Sequence, residues 1–171
     1  LRWVPVSGLY HRPGAWGGLP GGETYSCPLS VTGTLAAHVI GEPFATRYGV
    51  LAAPVLITVK DGYLGEISSA DPALAAALRA HLESVENGVR VGKFAIGTNY
   101  QLRALYGNLL QDVKVPGAHL AFGSPFPSET GASWSSPIHL EVVPFGCTVS
   151  IDDEFIVRDG RLDYDLLGVP E

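Results

Sequence analysis

The chain of 171 residues contains no methionine, not even at position 1, so it is expected to be a processed or trimmed form. Cysteine is nearly absent too. Cys27 and Cys147 match in number for one pair, but two thiols do not make the disulfide framework of a small secreted domain. A reducing, cytoplasmic setting is therefore expected. Charged residues are sparse, at 16%, and eleven Lys+Arg against seventeen Asp+Glu leave a net charge of −6. That balance excludes a basic surface of the kind that binds phosphate backbones, so no nucleic-acid partner is expected. No apolar run approaches the ~20 residues of a membrane-crossing helix, and Leu1-Arg2-Trp3-Val4-Pro5 lacks the apolar core of a signal peptide. Walker, G-x-G-x-x-G, G-x-S-x-G and C-x-x-C motifs are all missing, which leaves Ser26 and Cys27 without the context of a nucleophile.

What is present is a globular composition, 46% hydrophobic, in a chain long enough to bury roughly 70% of its unfolded surface as a single domain. Glycine and proline crowd the stretch from His11 to Gly22, which can hold no regular element and reads as a long loop leading to Glu23. The division expected is a glycine/proline-rich N-terminal segment, 1–22, followed by one α+β domain, 23–171. Strands are expected over Thr32 to Ile40, Pro54 to Lys60 and Tyr63 to Ile67. The last two flank Asp61-Gly62, a pair suited to a type I′ turn in which both central residues take positive φ. Asp159-Gly160, after Glu154 to Arg158, repeats the signal. Asp71 can cap a helix over Ala73 to Val85, with Pro72 in its first turn and Gly88 to end it. A second helix is expected from about Tyr100 to Leu110, with Leu102, Leu105, Tyr106 and Leu109 on one stripe. Hairpins with about two helices argue for an α+β fold with a mixed or mainly antiparallel sheet.

Ser136-Pro137-Ile138-His139-Leu140-Glu141-Val142-Val143 alternates. Ile138, Leu140 and Val142 share one strand face, and His139 and Glu141 share the other, about 6–7 Å apart. An imidazole and a carboxylate so placed can converge on one cation. His119 lies in a second apolar segment, Gly117 to Gly123, where its ring nitrogens need partners. Two histidines and a carboxylate match many zinc and non-haem iron ligand sets, although a satisfied core histidine beside a solvated His/Glu pair fits the spacing as well. His81 reads as solvated on its helix, His38 as structural, and His11 as part of the glycine-rich loop.

Four segments taken in order resemble the thermophilic aminopeptidase family, the aminopeptidase T and S metallopeptidases. Gly22-Glu23-Thr24-Tyr25-Ser26-Cys27-Pro28 is similar to its G-E-hydrophobic-x-x-x-P block, with Thr24 at the hydrophobic position. Phe94-Ala95-Ile96-Gly97-Thr98-Asn99 resembles the strand ending in G-T-N. Ala118 to Ser124 resembles H-x-A-x-G-S, and Ile138-His139-Leu140-Glu141 resembles I-H-x-D. The resemblance covers the metal-bearing C-terminal half of the family's enzymes. It implies Glu23, His119 and His139 as metal ligands, with Glu141 in place of an aspartate. Two positions depart: the family's bridging glutamate falls on Lys93, and its ligand tyrosine on Phe126.

Three readings follow from that resemblance. One divalent metal, zinc for instance, supports peptide hydrolysis with Glu23 or Glu129 as base. His119, His139 and Glu141 alternatively hold a single iron, as in the related 2,5-dihydroxypyridine ring-cleaving dioxygenases. In the third, catalysis is lost, Lys93 substitutes for the cation, no metal is bound and a peptide-binding groove remains. The resemblance also implies a homodimer or a covering partner protein, and a peptide or small-molecule substrate.

Overall fold

A computed structural model describes residues 1–15 and 17–168. In chain order the elements are β1 (Val4–Val6), β2 (Glu23–Ser26), β3 (Gly33–Ala37), β4 (Val39–Ile40), α1 (Phe44–Tyr48), β5 (Val55–Lys60), β6 (Tyr63–Ser68), α2 (Pro72–Glu83), β7 (Val91–Gly97), α3 (Leu109–Asp112), β8 (Gly117–Gly123), α4 (Pro127–Thr130), β9 (His139–Val143), β10 (Val149–Ile151), β11 (Glu154–Arg158), β12 (Arg161–Leu162) and α5 (Tyr164–Leu167). The main sheet runs β1-β2-β7-β8-β9-β4, and two three-stranded sheets run β3-β5-β6 and β10-β11-β12. Every strand pairing described is antiparallel, so the chain is a small α+β fold built from antiparallel sheets.

The hairpin turns form where the sequence places them. Asp61 and Gly62 take φ of 51° and 83°, and Asp159 and Gly160 take 47° and 74°. Asp71 caps α2 as expected, its Oδ1 accepting from the amides of Ala73 at 2.9 Å and Leu74 at 3.2 Å. The helix ends earlier than Gly88. Ser84 is its C-cap, and the Ser84 hydroxyl donates to the His81 carbonyl at 2.7 Å. His81 is half-buried rather than solvated, edge-on to Phe44 with ring centroids 5.7 Å apart.

Leu74, Leu78 and Leu82 of α2 pack with Val55, Ile57 and Val59 of β5 against the back of the main sheet, where Leu120, Phe122, Leu140 and Val142 meet them. Burying each such side chain stabilises the fold by about 1.5–3 kcal/mol. Alternation then fixes what the front of the sheet must carry, and it is there that the charged residues lie. A bulge between Val91 and Lys93 lets Val91 join the back core while Lys93 turns to the front.

Two elements differ from expectation. Thr32 to Ile40 is not one strand: it breaks at His38, leaving β3 in the small sheet and β4 in the main one. The His38 amide donates to Val143 O at 2.8 Å, at the crossing point. The helix expected over Tyr100–Leu110 is largely loop. Gly107 has φ of 76°, and the buried Asp112 carboxylate accepts from the amides of Tyr106 and Gly107 at 2.8 Å each, tethering the loop to α3. Leu105 and Leu109 still pack inward on Val39, Val113 and Val143, whereas Tyr106 is exposed. Within the glycine/proline-rich N-terminal segment, Val4–Val6 forms β1 and pairs with β2 at the edge of the main sheet.

Candidate functional site

Four neighbouring strands of the main sheet deliver the site from one face. In register, Lys93 pairs with Ala121 and Ala121 with Glu141, while Tyr25 pairs with Ala95 and Ala95 with His119. Ala95 and Ala121 are small, so long charged side chains converge over them. Glu23 pairs with Gly97 at the edge of this patch. Its backbone is fixed from both sides: Thr98 N donates to Gly22 O at 2.7 Å, and Asn99 Nδ2 donates to Gly21 O at 2.9 Å. Gly22, at φ of 110°, has no room for a side chain there, since a Cβ would lie 2.7 Å from that of Asn99. The G-E and G-T-N segments therefore act together to aim one carboxylate.

Glu23, His119 and Glu141 each offer one ligand atom, all within 4.8 Å of one another and all buried, which makes them a possible three-residue metal site. His119 Nε2 lies 3.1 Å from Glu23 Oε1 and 3.5 Å from Glu141 Oε2. His139 Nε2 lies 3.1 Å from Glu141 Oε1, and its Nδ1 is 2.8 Å from Ser124 O, so both ring nitrogens face acceptors. Glu141 Oε2 is buried and has no hydrogen-bond partner among the described residues.

Two ammonium groups occupy the same space. Lys93 Nζ bridges Glu23 Oε1 and Glu141 Oε1, at 2.7 Å from the latter, and sits 4.8 Å from the Tyr25 ring centroid. Lys114 Nζ pairs with the other oxygen of Glu23. All four side chains, two carboxylates and two ammonium groups, are almost wholly buried. Burial alone would raise the carboxyl of Glu23, but the His119 hydrogen bond and the charges of Lys93, His119 and Lys114 bring it down to about 2. Glu141 is also held below the usual carboxylate range: burial opposes this, and Lys93 and the two histidines prevail. Burial disfavours the Lys93 ammonium, yet Glu141 and Glu23 outweigh it and raise its pKa. Lys93 is a fixed cation at the centre of the donor set.

The expected residues Glu23, His119, His139 and Glu141 are thus brought together, with Lys93 among them. Phe126, at φ of 51°, lays its ring against His139 with centroids 4.3 Å apart and edge-on to Tyr25 at 6.0 Å. Among the described residues Glu129 reaches the group through Tyr25, whose hydroxyl donates to Glu129 Oε2. That bond and burial push the Tyr25 hydroxyl well above its ordinary pKa. A cavity of about 250 Å³ opens above the cluster, with Glu23, Lys93, Lys114, His139 and Glu141 at its polar floor and Val6, Leu109, Leu110, Val113 and Phe126 as apolar walls.

Sequence reasoning missed Lys114 and Tyr25. The signal for Lys114 was its position between Val113 and Val115, where an apolar flank on each side announces burial. Cys27 and Cys147 are both free thiols. His38 is half-buried, its Nδ1 without a partner among the described residues, and His11 is exposed. Among the described residues no helix is long and apolar enough to cross a membrane.

No protein-family model and no curated protein sequence matches the chain. Solved structures do. Wild-type AmpT (aminopeptidase T) from Thermus thermophilus matches with a TM-score of 0.63 and 17% identity, over 85% of this chain and 40% of that one. A 2,5-dihydroxypyridine dioxygenase from Pseudomonas putida matches with a TM-score of 0.60 and 18% identity, over 82% of this chain and 42% of that one. The chain spans less than half the length of either protein. At these identities the likeness establishes the fold alone, shared with part of the aminopeptidase T and dihydroxypyridine dioxygenase chains.

Proposed function

We propose that this domain is a metal-independent binding module on the aminopeptidase-like fold, in which Lys93 takes the place of a metal cation and the cavity above it holds a peptide or small-molecule ligand. The observation that carries this reading is the Lys93 ammonium bridging Glu23 and Glu141. A dication on Glu23, His119 and Glu141 would stand beside that ammonium; two such charges about 4 Å apart at an effective dielectric near 20 repel by about 8 kcal/mol. Both oxygens of Glu23 and Oε1 of Glu141 already accept from Lys93 and Lys114, which leaves Glu141 Oε2 as the one carboxylate oxygen of the set with no lysine on it. With its lysines charged, the residue set does not fit a divalent metal.

The apolar walls and ionic floor suit a ligand with a hydrophobic side chain and a polar end. His139, the most exposed of the charged and imidazole groups at the site, is the first to meet it. A single-metal hydrolase is the second reading, favoured by one observation: Glu141 Oε2 is buried without a hydrogen-bond partner, a state that a bound cation would relieve.

The two readings separate in one experiment. Unblocked apolar dipeptides are titrated into the protein by calorimetry, with a chelator and then with added Zn²⁺, while free amino acids are assayed. The binding reading predicts equal affinity in both conditions and no cleavage. Cleavage that disappears with the chelator and in His139→Ala overturns it, as does an absence of binding in both conditions.

A further inference from the structure

Arg90, just ahead of β7, has a guanidinium that no other described residue engages by hydrogen bond or ion pair. The chain nevertheless holds it firmly. It stacks 4.2 Å from the Trp134 ring centroid and 5.9 Å from that of Tyr63. Its backbone is pinned on both sides, with Arg90 N donating to Asn87 O at 3.2 Å and Gly123 N donating to Arg90 O at 2.8 Å. The segment carrying Trp134 is tied to the same turn, because Asn87 Nδ2 donates to Ser135 O and Ser136 Oγ donates to Glu86 O, both at 2.9 Å. An always-charged, planar five-donor group, oriented by aromatic faces and left without an acceptor, is a preformed receptor for a carboxylate.

The surroundings narrow the ligand. Arg90 is the one charged side chain in an open groove of about 260 Å³ that also includes Leu1, Cys27, Leu29, Ser133 and Trp134. At Cys27, Pro28 and Leu29 this groove meets a second of about 450 Å³, which extends over Trp3, Ser26 and Phe94. Leu29 is 92% exposed and Trp3 56%, so the floor is an apolar strip leading to Arg90. Ser26 and Phe94 point to the other side of the sheet from Glu23 and Lys93, which separates this groove from the lysine cluster. We propose that the groove binds the C-terminal end of an extended apolar peptide, with the terminal carboxylate on Arg90 and the preceding side chains along Leu29, Trp3 and Phe94. The trough is broad and open to water, which suits side chains laid out along a backbone better than a single acyl tail. The proposal is independent of the function assigned to the lysine cluster.

The test compares N-acetylated Leu-Leu-Leu as the free acid with its C-terminal amide, by calorimetry and by following the Trp134 indole N–H resonance. Acetylation removes the amine that the other site would be asked to read. The free acid is expected to bind at least about tenfold more tightly than the amide and to shift the Trp134 signal. Arg90→Gln, with its fold checked by circular dichroism, should abolish that preference, and Arg90→Lys should restore only part of it. Equal binding of acid and amide by the wild-type protein overturns the proposal without reliance on any variant. So does octanoate binding as tightly as the tripeptide, or a free-acid preference that survives in Arg90→Gln.

Discussion

Replacing Lys93 by methionine tests the claim that an ammonium does a metal's work in this fold. The side chain stays unbranched, one atom shorter, and loses its charge. Glu23 and Glu141 then remain buried with Lys114 as the only lysine between them, and Lys114 touches Glu23 alone. Removing one partner of a buried pair costs about 3–5 kcal/mol, because a charge is stranded in the interior. Lys93→Met should therefore unfold at markedly lower urea concentration, with the slope of the transition unchanged. The same change removes the repulsion of about 8 kcal/mol that opposes a dication. Part of that is already avoidable in the wild-type protein by turning the lysine aside, so the expected gain in Zn²⁺ affinity is at least about 100-fold, or about 2.7 kcal/mol. Zn²⁺ at one hundred times its dissociation constant would then return about 2.7 kcal/mol of stability to the variant and almost none to the wild type. Paired urea melts with and without Zn²⁺ read both effects. If Lys93→Met is as stable as wild type and gains no metal affinity, Lys93 is not the cation that holds the cluster together.

Further predictions rest on separate parts of the structure. Glu23 has its carboxyl lowered from 4.5 to about 2, so the folded state favours its ionised form. That contribution, about 3 kcal/mol, is complete above pH 4.5 and is lost as pH falls towards 2; urea melts between pH 7 and 3 should show it, and stability that rises on acidification would contradict it. Asp71→Ala removes the cap that accepts from Ala73 and Leu74 and should cost about 1 kcal/mol in a chemical melt, whereas Asp71→Asn should cost much less. Gly22→Ala forces a side chain into positive φ against Asn99 and should cost at least about 1–3 kcal/mol, visible as a lower melting temperature. A neutral Gly22→Ala would mean that the Gly22–Asn99 clamp does not position Glu23.

The parts of this fold that local chemistry controls could be read in advance. Asp61-Gly62 and Asp159-Gly160 specify positive φ at both positions whatever surrounds them, and Asp71-Pro72 specifies a helix start. The alternation around His139 and Glu141 survives because Leu140 and Val142 have a core to face. What could not be read depended on the second sheet. Thr32 to Ile40 has the pattern of one strand, but its ends pair with β5 and β9 in different sheets, and the break at His38 is set by those partners. The stripe Leu102–Leu109 has helical spacing, but Gly107 and the demand of buried Asp112 for amide donors override it.

At the site, Lys93 was legible as a cation among the candidate ligands. The burial of Lys114 had a signal in its apolar flanks but its partner did not, because the lysine comes from the turn after α3 and reaches Glu23 across 91 residues of sequence. Phe126 and Glu129 stand beside the cluster in a way that no spacing reveals: one ring rests on His139, and one carboxylate holds the Tyr25 hydroxyl.

Whether Lys93 stands in for a metal is decided by titrating the untagged, chelator-stripped wild-type protein with Zn²⁺ and with anaerobic Fe²⁺, and by measuring its metal content as purified. A lysine in that role leaves no stoichiometric metal as purified and no binding tighter than about 10 μM, the level of scattered surface carboxylates and histidines. One zinc or iron per chain, bound tightly and lost in His139→Ala or Glu141→Gln, would contradict it and return the cluster to metal chemistry.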